Sequence, residues 1–192
     1  MDRRDSILAA ARAVVAEGGI AALSVRTVAA RAGIGASTLR HYFPSQRELY
    51  DAVVGALFHG TVEDLRIADR SVDPLERLLD CVGQFLPAED APPALAGWFA
   101  MFASAAGSGS TEQGRVLLER LAADSRSRIS RWIVLLAEEG VLRRGPLDQH
   151  VELILALLDG LCLRMLTPGS GTTTAGARVL LAAALERAVV RD

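Results

Sequence analysis

A run of small and hydrogen-bonding side chains between residues 35 and 41 has the chemistry to contact a nucleic acid. Arg40 can form two hydrogen bonds to a guanine edge or hold a phosphate, and the Ser37 and Thr38 hydroxyls can contact either group. Ala36 can touch a thymine methyl group, and Gly35 allows close backbone approach. The outward-facing residues of this run are Gly35, Ala36, Ser37, Thr38, Arg40 and His41.

Two short helices joined by a tight turn must position this run. The first begins after Ser24, a good N-cap, and ends at Gly33, which can adopt the positive φ of a sharp turn. The second covers about 36–43 and ends at Pro44. The inward positions are Val25, Val28, Ala29, Ala32, Ile34, Leu39 and Phe43. This pattern indicates a helix-turn-helix whose second helix can enter a major groove. A plain helical hairpin is the alternative.

Helical periodicity continues through the rest of the chain. Alanine and leucine fill 60 of the 192 positions, and this composition favours helix over sheet. Further helices are predicted at about 4–17, 45–67, 74–86, 93–106, 112–139, 147–166 and 173–190. We therefore expect an all-α chain with a helix-turn-helix domain at 1–47 and a second helical domain at 48–192.

Charge differs between the two ends of the chain. Residues 1–50 carry a net charge of +3 and residues 51–192 carry −5. This asymmetry fits different partners for the two parts, although ordinary fluctuation explains it equally well. The apolar stretches are too short or too interrupted for a signal peptide or a bilayer span. We therefore expect a cytoplasmic protein with no membrane partner.

Few residues are suited to catalysis or metal binding. The chain has no lysine, and Cys81 and Cys162 fit no zinc or redox spacing. His59 and His150 have no partner at metal-ligand spacing. No nucleophile elbow, phosphate loop or metalloprotease motif occurs. We predict no catalytic residue, no metal and no cofactor.

Residues 5–55 resemble the N-terminal domain of the TetR (tetracycline-repressor) family of bacterial regulators, through residues 29–34, 37–45 and 48–49. The resemblance implies phosphate and base contacts at Ser24, Arg26, Ser37, Thr38, His41 and Tyr42. Two positions depart from the family pattern: Arg40 stands where Tyr is common, and Gln46 where a phosphate-binding Lys is common. These departures predict a shifted base preference and a slightly weaker dependence of DNA affinity on salt concentration. The predicted DNA-binding residues are Ser24, Arg26, Gly35, Ala36, Ser37, Thr38, Arg40, His41, Tyr42 and Gln46.

The C-terminal part is similar to the choline-repressor (BetI-like) group, at residues 157–161 before Pro168 and at residues 97–102. This similarity implies a nine-helix chain, a homodimer and a pocket inside each subunit.

The helix at 147–166 independently suggests the dimer. Its apolar residues cover almost the whole circumference, so it must be buried on both sides. One side meets its own core and the other meets a partner, unless it is the central helix of a monomeric bundle. The predicted interface residues are Leu153, Leu157, Asp159, Leu161, Arg164, Ala182 and Leu185.

Most of the large side chains lie in the middle third of the chain and could line a cavity for an apolar or aromatic ligand. Ordinary core packing is the competing explanation for each of them. The predicted pocket residues are Phe58, Cys81, Phe85, Trp98, Phe99, Met101, Phe102, Arg120, Asp124, Arg128 and Trp132.

These observations predict a homodimeric repressor that binds a palindromic operator and is released by a small molecule. Ligand would tilt the fourth helix and separate the recognition helices. The alternative is a ligand-independent architectural or cell-cycle DNA-binding protein on the same fold. An α-helical enzyme is excluded for lack of a catalytic motif.

Overall fold

The computed structural model describes residues 2–18, 22–54, 62–87, 99, 102–103, 105–106 and 110–191. Across these ranges, eight helices are present and no β-strand. A single β-bridge in the same ranges joins Leu142 to Val190. The helices are α1 (Arg3–Gly18), α2 (Val25–Arg31), α3 (Ala36–Tyr42), α4 (Gln46–Val54), α5 (Pro74–Gly83), α6 (Glu112–Glu138), α7 (Leu147–Leu166) and α8 (Thr174–Ala188). The all-α prediction is confirmed, and the helix predicted at 93–106 lies mostly outside the described residues.

Side-chain caps explain where several helices begin. Asp73 Oδ1 accepts hydrogen bonds from the Leu75 and Glu76 backbone N–H groups, and Pro74 occupies the first turn of α5. At the start of α8, Thr173 accepts a hydrogen bond from the Gly176 backbone N–H. Each cap satisfies N–H groups that have no partner within the helix. These helix starts are therefore determined locally.

The chain divides into two compact units. The first comprises Met1–Thr61 and Ala96–Glu119, and the second comprises Val62–Leu95 and Arg120–Asp192. The functional boundary after residue 47 stays a prediction. In the first unit, α1 packs against α2 and α4, and α2 packs against α3. Its core consists of Ile7, Leu8, Ala11, Val14, Leu23, Val28, Ala29, Leu39, Phe43, Leu49 and Val53.

In the second unit, α8 packs against both α5 and α7. Its buried residues include Leu78, Val82, Ile129, Trp132, Ile133, Leu136, Ile154, Leu158, Leu181 and Leu185. Cys81 and Cys162 are also buried, and burial raises the pKa of their thiols to about 12 and about 11. Both therefore remain protonated and act as small apolar residues.

The helix predicted at 45–67 is wrong over its last residues. α4 is described as Gln46–Val54, residues 55–61 lie outside the described ranges, residues 62–64 have no helical structure, and residues 65–68 form a turn. The 62–67 segment has a helical sequence pattern, but side chains from two other helices bind its carbonyl groups, as described below. Tertiary contacts here override local propensity. Among the described helices, none combines the length and apolar character needed to cross a bilayer.

Candidate nucleic-acid interface

The turn between α2 and α3 exposes one face of α3. Gly33 has a φ of +64°, and the Ile34 N–H donates to the Ala29 carbonyl oxygen at 3.0 Å, which closes the turn. Leu39 is buried against α2, so the opposite face of α3 is turned to solvent. The exposed residues there are Gly35, Ala36, Ser37, Thr38, Arg40 and His41. The structure thus brings together the residues whose chemistry suggested a DNA contact.

Ser24, a predicted DNA contact, also caps α2. Its hydroxyl accepts from the Thr27 backbone N–H at 3.1 Å, and the Thr27 hydroxyl oxygen accepts from the Ser24 backbone N–H at 3.0 Å. These reciprocal bonds form a capping box. The capping role of Thr27 was not predicted, although the Ser-x-x-Thr spacing of residues 24–27 is typical of a capping box. Arg26, in the first turn of α2, is exposed.

Gln46 is exposed at the start of α4, but its side chain has a partner in its own helix. It hydrogen-bonds to the side chain of Tyr50. Burial raises the pKa of the Tyr50 hydroxyl, and the Gln46 bond partly offsets this effect. Just before α4, the Ser45 hydroxyl accepts from the Glu48 backbone N–H at 3.1 Å. A neutral, internally bonded side chain therefore occupies the position where the family commonly has Lys.

Two basic residues of this unit have partners that the sequence did not indicate. Arg31 forms two hydrogen bonds with Glu17, at 2.7 and 2.5 Å. These bonds lower the pKa of Glu17 and raise that of Arg31. The Arg4 guanidinium carbon lies 5.2 Å from the centroid of the Phe43 ring. Arg31 is therefore neutralised, whereas Arg4 rests on an uncharged surface.

Four of the predicted pocket residues occur around one segment of the second unit. We call residues 62–67 the strap. Arg128 Nη1 donates to the Val62 carbonyl oxygen at 2.8 Å, Cys81 Sγ donates to that of Asp64 at 3.4 Å, and Trp132 Nε1 donates to Asp64 Oδ1 at 2.7 Å. The Phe85 and Trp132 rings meet edge to face at 6.1 Å.

Further side chains from α5 and beyond complete the binding of the strap. The Gln84 amide pairs with the Glu63 backbone, accepting from its N–H at 2.9 Å and donating to its carbonyl oxygen at 2.8 Å. Arg77 Nη1 donates to the Ile67 carbonyl oxygen at 2.6 Å. At the centre of the strap, Leu65 is exposed and has a φ of +36°. An otherwise irregular backbone segment thus has its polar groups satisfied by side chains.

The other predicted pocket residues are not part of this cluster. Phe58, Trp98 and Met101 lie outside the described residues. Phe99 is 48% exposed, and Phe102 is partly buried. Asp124 Oδ2 accepts from Arg128 Nε at 2.8 Å, and Arg120 is exposed with an interaction partner of its own. A shallow open groove runs along α6, but its lining residues are Asp64, Ala123, Arg126, Ser127, Ser130, Arg131, Val134 and Leu135.

The predicted dimer residues divide between a surface and a core. Leu153, Asp159 and Arg164 are exposed on α7, whereas Leu157 and Ala182 are half-buried. Leu161 and Leu185 pack inside their own unit, so they support the surface and do not form it. Asp159 is at the surface, and partial desolvation by neighbouring protein atoms raises the pKa of its carboxyl.

Exposed apolar side chains extend this surface over both C-terminal helices. Leu153 and Leu163 of α7 are 41% and 49% exposed, and Val179 of α8 is 69% exposed. Leu180 is also exposed. Exposed apolar side chains on two helices that pack against each other are typical of an interaction site.

Nothing in the described ranges resembles a catalytic or metal centre. Those ranges contain no group of three or more His, Cys, Asp or Glu side chains that could hold a metal ion. The polar groups of the strap hydrogen-bond to side chains of α5, Gln84 and α6, and the exposed residues Ser37, Thr38 and Arg40 lie on a helix-turn-helix. The fold and its exposed face therefore define a DNA-binding protein of the helix-turn-helix class.

Comparisons with known proteins identify the family. Residues 7–53 match the model described as bacterial regulatory proteins, tetR family, and residues 74–190 match the BetI-type transcriptional repressor, C-terminal, model. The chain therefore belongs to the TetR family of bacterial transcriptional regulators, with a BetI-type C-terminal domain, and it is not an enzyme.

Individual relatives agree with this assignment. The HTH-type transcriptional regulator PksA of Bacillus subtilis is 29% identical over 170 residues, which cover 86% of this chain and 80% of PksA. A TetR-family regulator structure from Rhodococcus sp. is 26% identical, with a TM-score of 0.76 and coverage of 95% of this chain and 96% of that one. A regulator from Saccharomonospora viridis in complex with choline is 24% identical, with a TM-score of 0.71 and 98% coverage of each chain, and shows the same fold.

Proposed function

We propose that this regulator is a homodimeric repressor that binds a palindromic operator and is released by a small apolar or aromatic molecule. The observation that carries the DNA part is the exposed face of α3. On that face Arg40, Ser37 and Thr38 are all turned to solvent while Leu39 is buried behind them. Arg40 and His41 would read base edges, and Ser24, Arg26 and Tyr42 would contact the backbone.

The exposed apolar surface of α7 and α8 supports the dimer. Exposure of the Leu153, Leu163 and Val179 side chains to water is unfavourable. In the proposed dimer, the same surface of a second copy covers them. Two copies related by a two-fold axis place two recognition helices on successive turns of a palindrome, about 34 Å apart.

The strap supports the effector response. It follows α4 along the chain, and its hydrogen bonds come from Cys81, Arg128 and Trp132, which are predicted pocket residues. A ligand that inserts beside the Phe85 and Trp132 rings would break the Trp132 bond to Asp64 and loosen the strap. Such a ligand releases DNA only if it binds the loosened state more tightly, and a coupling of about 1–3 kcal/mol is typical.

The operator can be tested by footprinting the purified protein on the DNA that flanks its gene, at stated salt. We expect a protected palindrome that Arg40→Ala abolishes, because a bidentate arginine–guanine contact contributes about 1–3 kcal/mol. Arg144→Ala removes the same charge from an exposed loop of the second unit and should leave the footprint intact. Salt-sensitive binding without a protected site, unchanged by Arg40→Ala, would contradict sequence-specific reading by α3.

The effector can be tested by thermal-shift screening with apolar, aromatic and quaternary ammonium compounds, followed by operator release. Trp132→Phe retains a core ring but removes the N–H donor to Asp64, so it should change the ligand concentration needed for release. If no compound stabilises the protein, the core is filled, and the ligand-independent architectural function is favoured.

A further inference from the structure

Arg4 belongs to the first unit, and its guanidinium group lies over an aromatic ring of that unit. It is exposed in the first turn of α1, and its guanidinium carbon is 5.2 Å from the centroid of the Phe43 ring. Phe43 is the C-cap of α3 and is buried in the core. A guanidinium over a buried ring has a fixed position, while its N–H edges remain available to the oxygen atoms of a carboxylate or phosphate.

This position adjoins the predicted phosphate contacts. Phe43 lies in the chain between Tyr42 and Gln46, which close α3 and open α4. At position 46 the family commonly has a cation, whereas this chain has an amide bonded to Tyr50. Phe43, whose ring Arg4 covers, therefore lies in the short segment between Tyr42 and Gln46, the two predicted contacts to the DNA backbone.

The charge of Arg4 is not cancelled by its neighbours. Asp5 is next to Arg4 in sequence, but adjacent residues on a helix do not face each other. Asp2, which the structure also describes, precedes α1 and forms no ion pair with Arg4. Arg4 forms no ion pair with a residue that the structure describes, in contrast to Arg31, which is bound to Glu17. Arg4 therefore presents a net positive charge beside the recognition helix.

We propose that Arg4 binds a DNA phosphate and supplies, from α1, the cation that position 46 lacks. The Phe43 ring holds the guanidinium where it can reach the sugar-phosphate backbone of DNA at the C-terminal end of α3. This proposal rests on the proposed operator binding by the α2–α3 unit. It adds α1 to the helices of this chain that contact DNA, through a contact that carries no sequence information.

The salt dependence of binding tests this proposal. Equilibrium affinities of the full-length protein are measured for the operator and for an unrelated duplex over a tenfold range of KCl. Loss of one phosphate contact reduces the slope of log K against log [salt] by about 0.9, so a homodimer that loses one contact from each subunit should lose about 1.8 in total. We expect this reduction in Arg4→Ala on both DNAs, with a several-fold loss of affinity at low salt. Arg4→Lys keeps the charge and should retain most of the slope.

Two further variants distinguish phosphate binding from a structural effect. Arg12→Ala removes an exposed charge two turns further along α1 and should leave the slope unchanged. Gln46→Lys added to Arg4→Ala should restore the slope, because it returns a cation to the same region from α4. Circular dichroism confirms that each variant is folded.

The outcomes separate this proposal from the proposed function. If Arg4→Ala lowers affinity but keeps the wild-type slope, Arg4 only positions α3, and phosphate binding is overturned. An unchanged affinity and slope overturn it as well. If the wild-type protein itself protects no operator, it is the proposed function that fails.

Discussion

At the scale of single residues, the second unit contains a buried arginine whose charge must be compensated. Arg77 is 2% exposed, and its Nη atoms donate to both carboxylate oxygens of Glu139, at 3.1 and 2.6 Å. Its Nε has no hydrogen-bond partner among the residues that the structure describes. Burying a charge is unfavourable unless it is paired, so Glu139 must offset most of the desolvation of Arg77. The pair also holds Ile67, the last residue of the strap, through the Arg77 bond to its carbonyl oxygen.

Replacing Glu139 should therefore lower the free energy of unfolding, by an amount that depends on pH. Glu139→Gln leaves the Arg77 charge buried without a counter-charge, and we expect the free energy of unfolding to fall by about 3 kcal/mol at pH 7. The hydrogen bonds from Arg77 lower the pKa of Glu139 below 4.5. Its stabilisation is therefore complete above pH 4.5 and is lost as the pH falls through the folded-state pKa.

Urea unfolding of both proteins from pH 7 to pH 3 measures this effect. The difference between them should shrink in acid, where wild-type Glu139 becomes protonated and resembles Gln. An equal difference at pH 7 and pH 3 would show that the charge of Glu139 is not what stabilises Arg77. The exposed pair Arg115–Glu112 offers a control, because Glu112→Gln should change stability by less than about 1 kcal/mol.

At the scale of elements, local sequence signals predicted the DNA-binding unit well. Ser24, Gly33 and Pro44 mark the ends of α2 and α3, and the apolar spacing identified Leu39 and Phe43 as core residues. Each of these signals acts within a few residues, so it can be read from spacing alone. Arg4 was missed because its contact with Phe43 joins residues 39 positions apart, and no pattern within α1 reports it.

The strap shows why other elements could not be predicted. Its bonds to Arg128 and Trp132 join residues separated by 66 and 68 positions. Apolar spacing at 62–67 is compatible with helix, and only the packed unit determines that side chains replace the helical hydrogen bonds. The pocket prediction failed to anticipate Asp64 and Gln84 for the same reason, since neither belongs to a local motif.

Gly33 allows a test of the turn itself. An added Cβ would meet nothing within 4 Å, so the cost of Gly33→Ala comes only from the positive φ of +64°. We expect a loss of about 1 kcal/mol in the free energy of unfolding. Gly33→Asn should lose less, because Asn tolerates this conformation. Chemical denaturation measures both, and equal losses for Ala and Asn would mean that backbone conformation is not the cause.

At the scale of the whole molecule, the proposed operator binding requires a second copy of the chain. One helix-turn-helix reads too few base pairs to find an operator among the competing sites of a genome, and a palindrome doubles the contacts. We propose the surface of α7 and α8 as the interface with this second copy, because exposed leucines flank small residues there. In α7, Ala156 and Gly160 are exposed between Leu153 and Leu163. Small residues there would let a helix of the partner approach closely.

Enlarging Gly160 should therefore separate the subunits without unfolding them. A Cβ at this position meets nothing within 4 Å in its own chain, and Leu is a better helix former than Gly. We expect Gly160→Leu to stay folded, to sediment as a monomer, and to lose operator binding while keeping weak non-specific binding. Ala122→Leu adds comparable bulk at an exposed position of α6 and should remain a dimer. A Gly160→Leu protein that sediments as a dimer and still protects the operator would place the interface elsewhere, because a leucine cannot occupy a close helix crossing without forcing the helices apart.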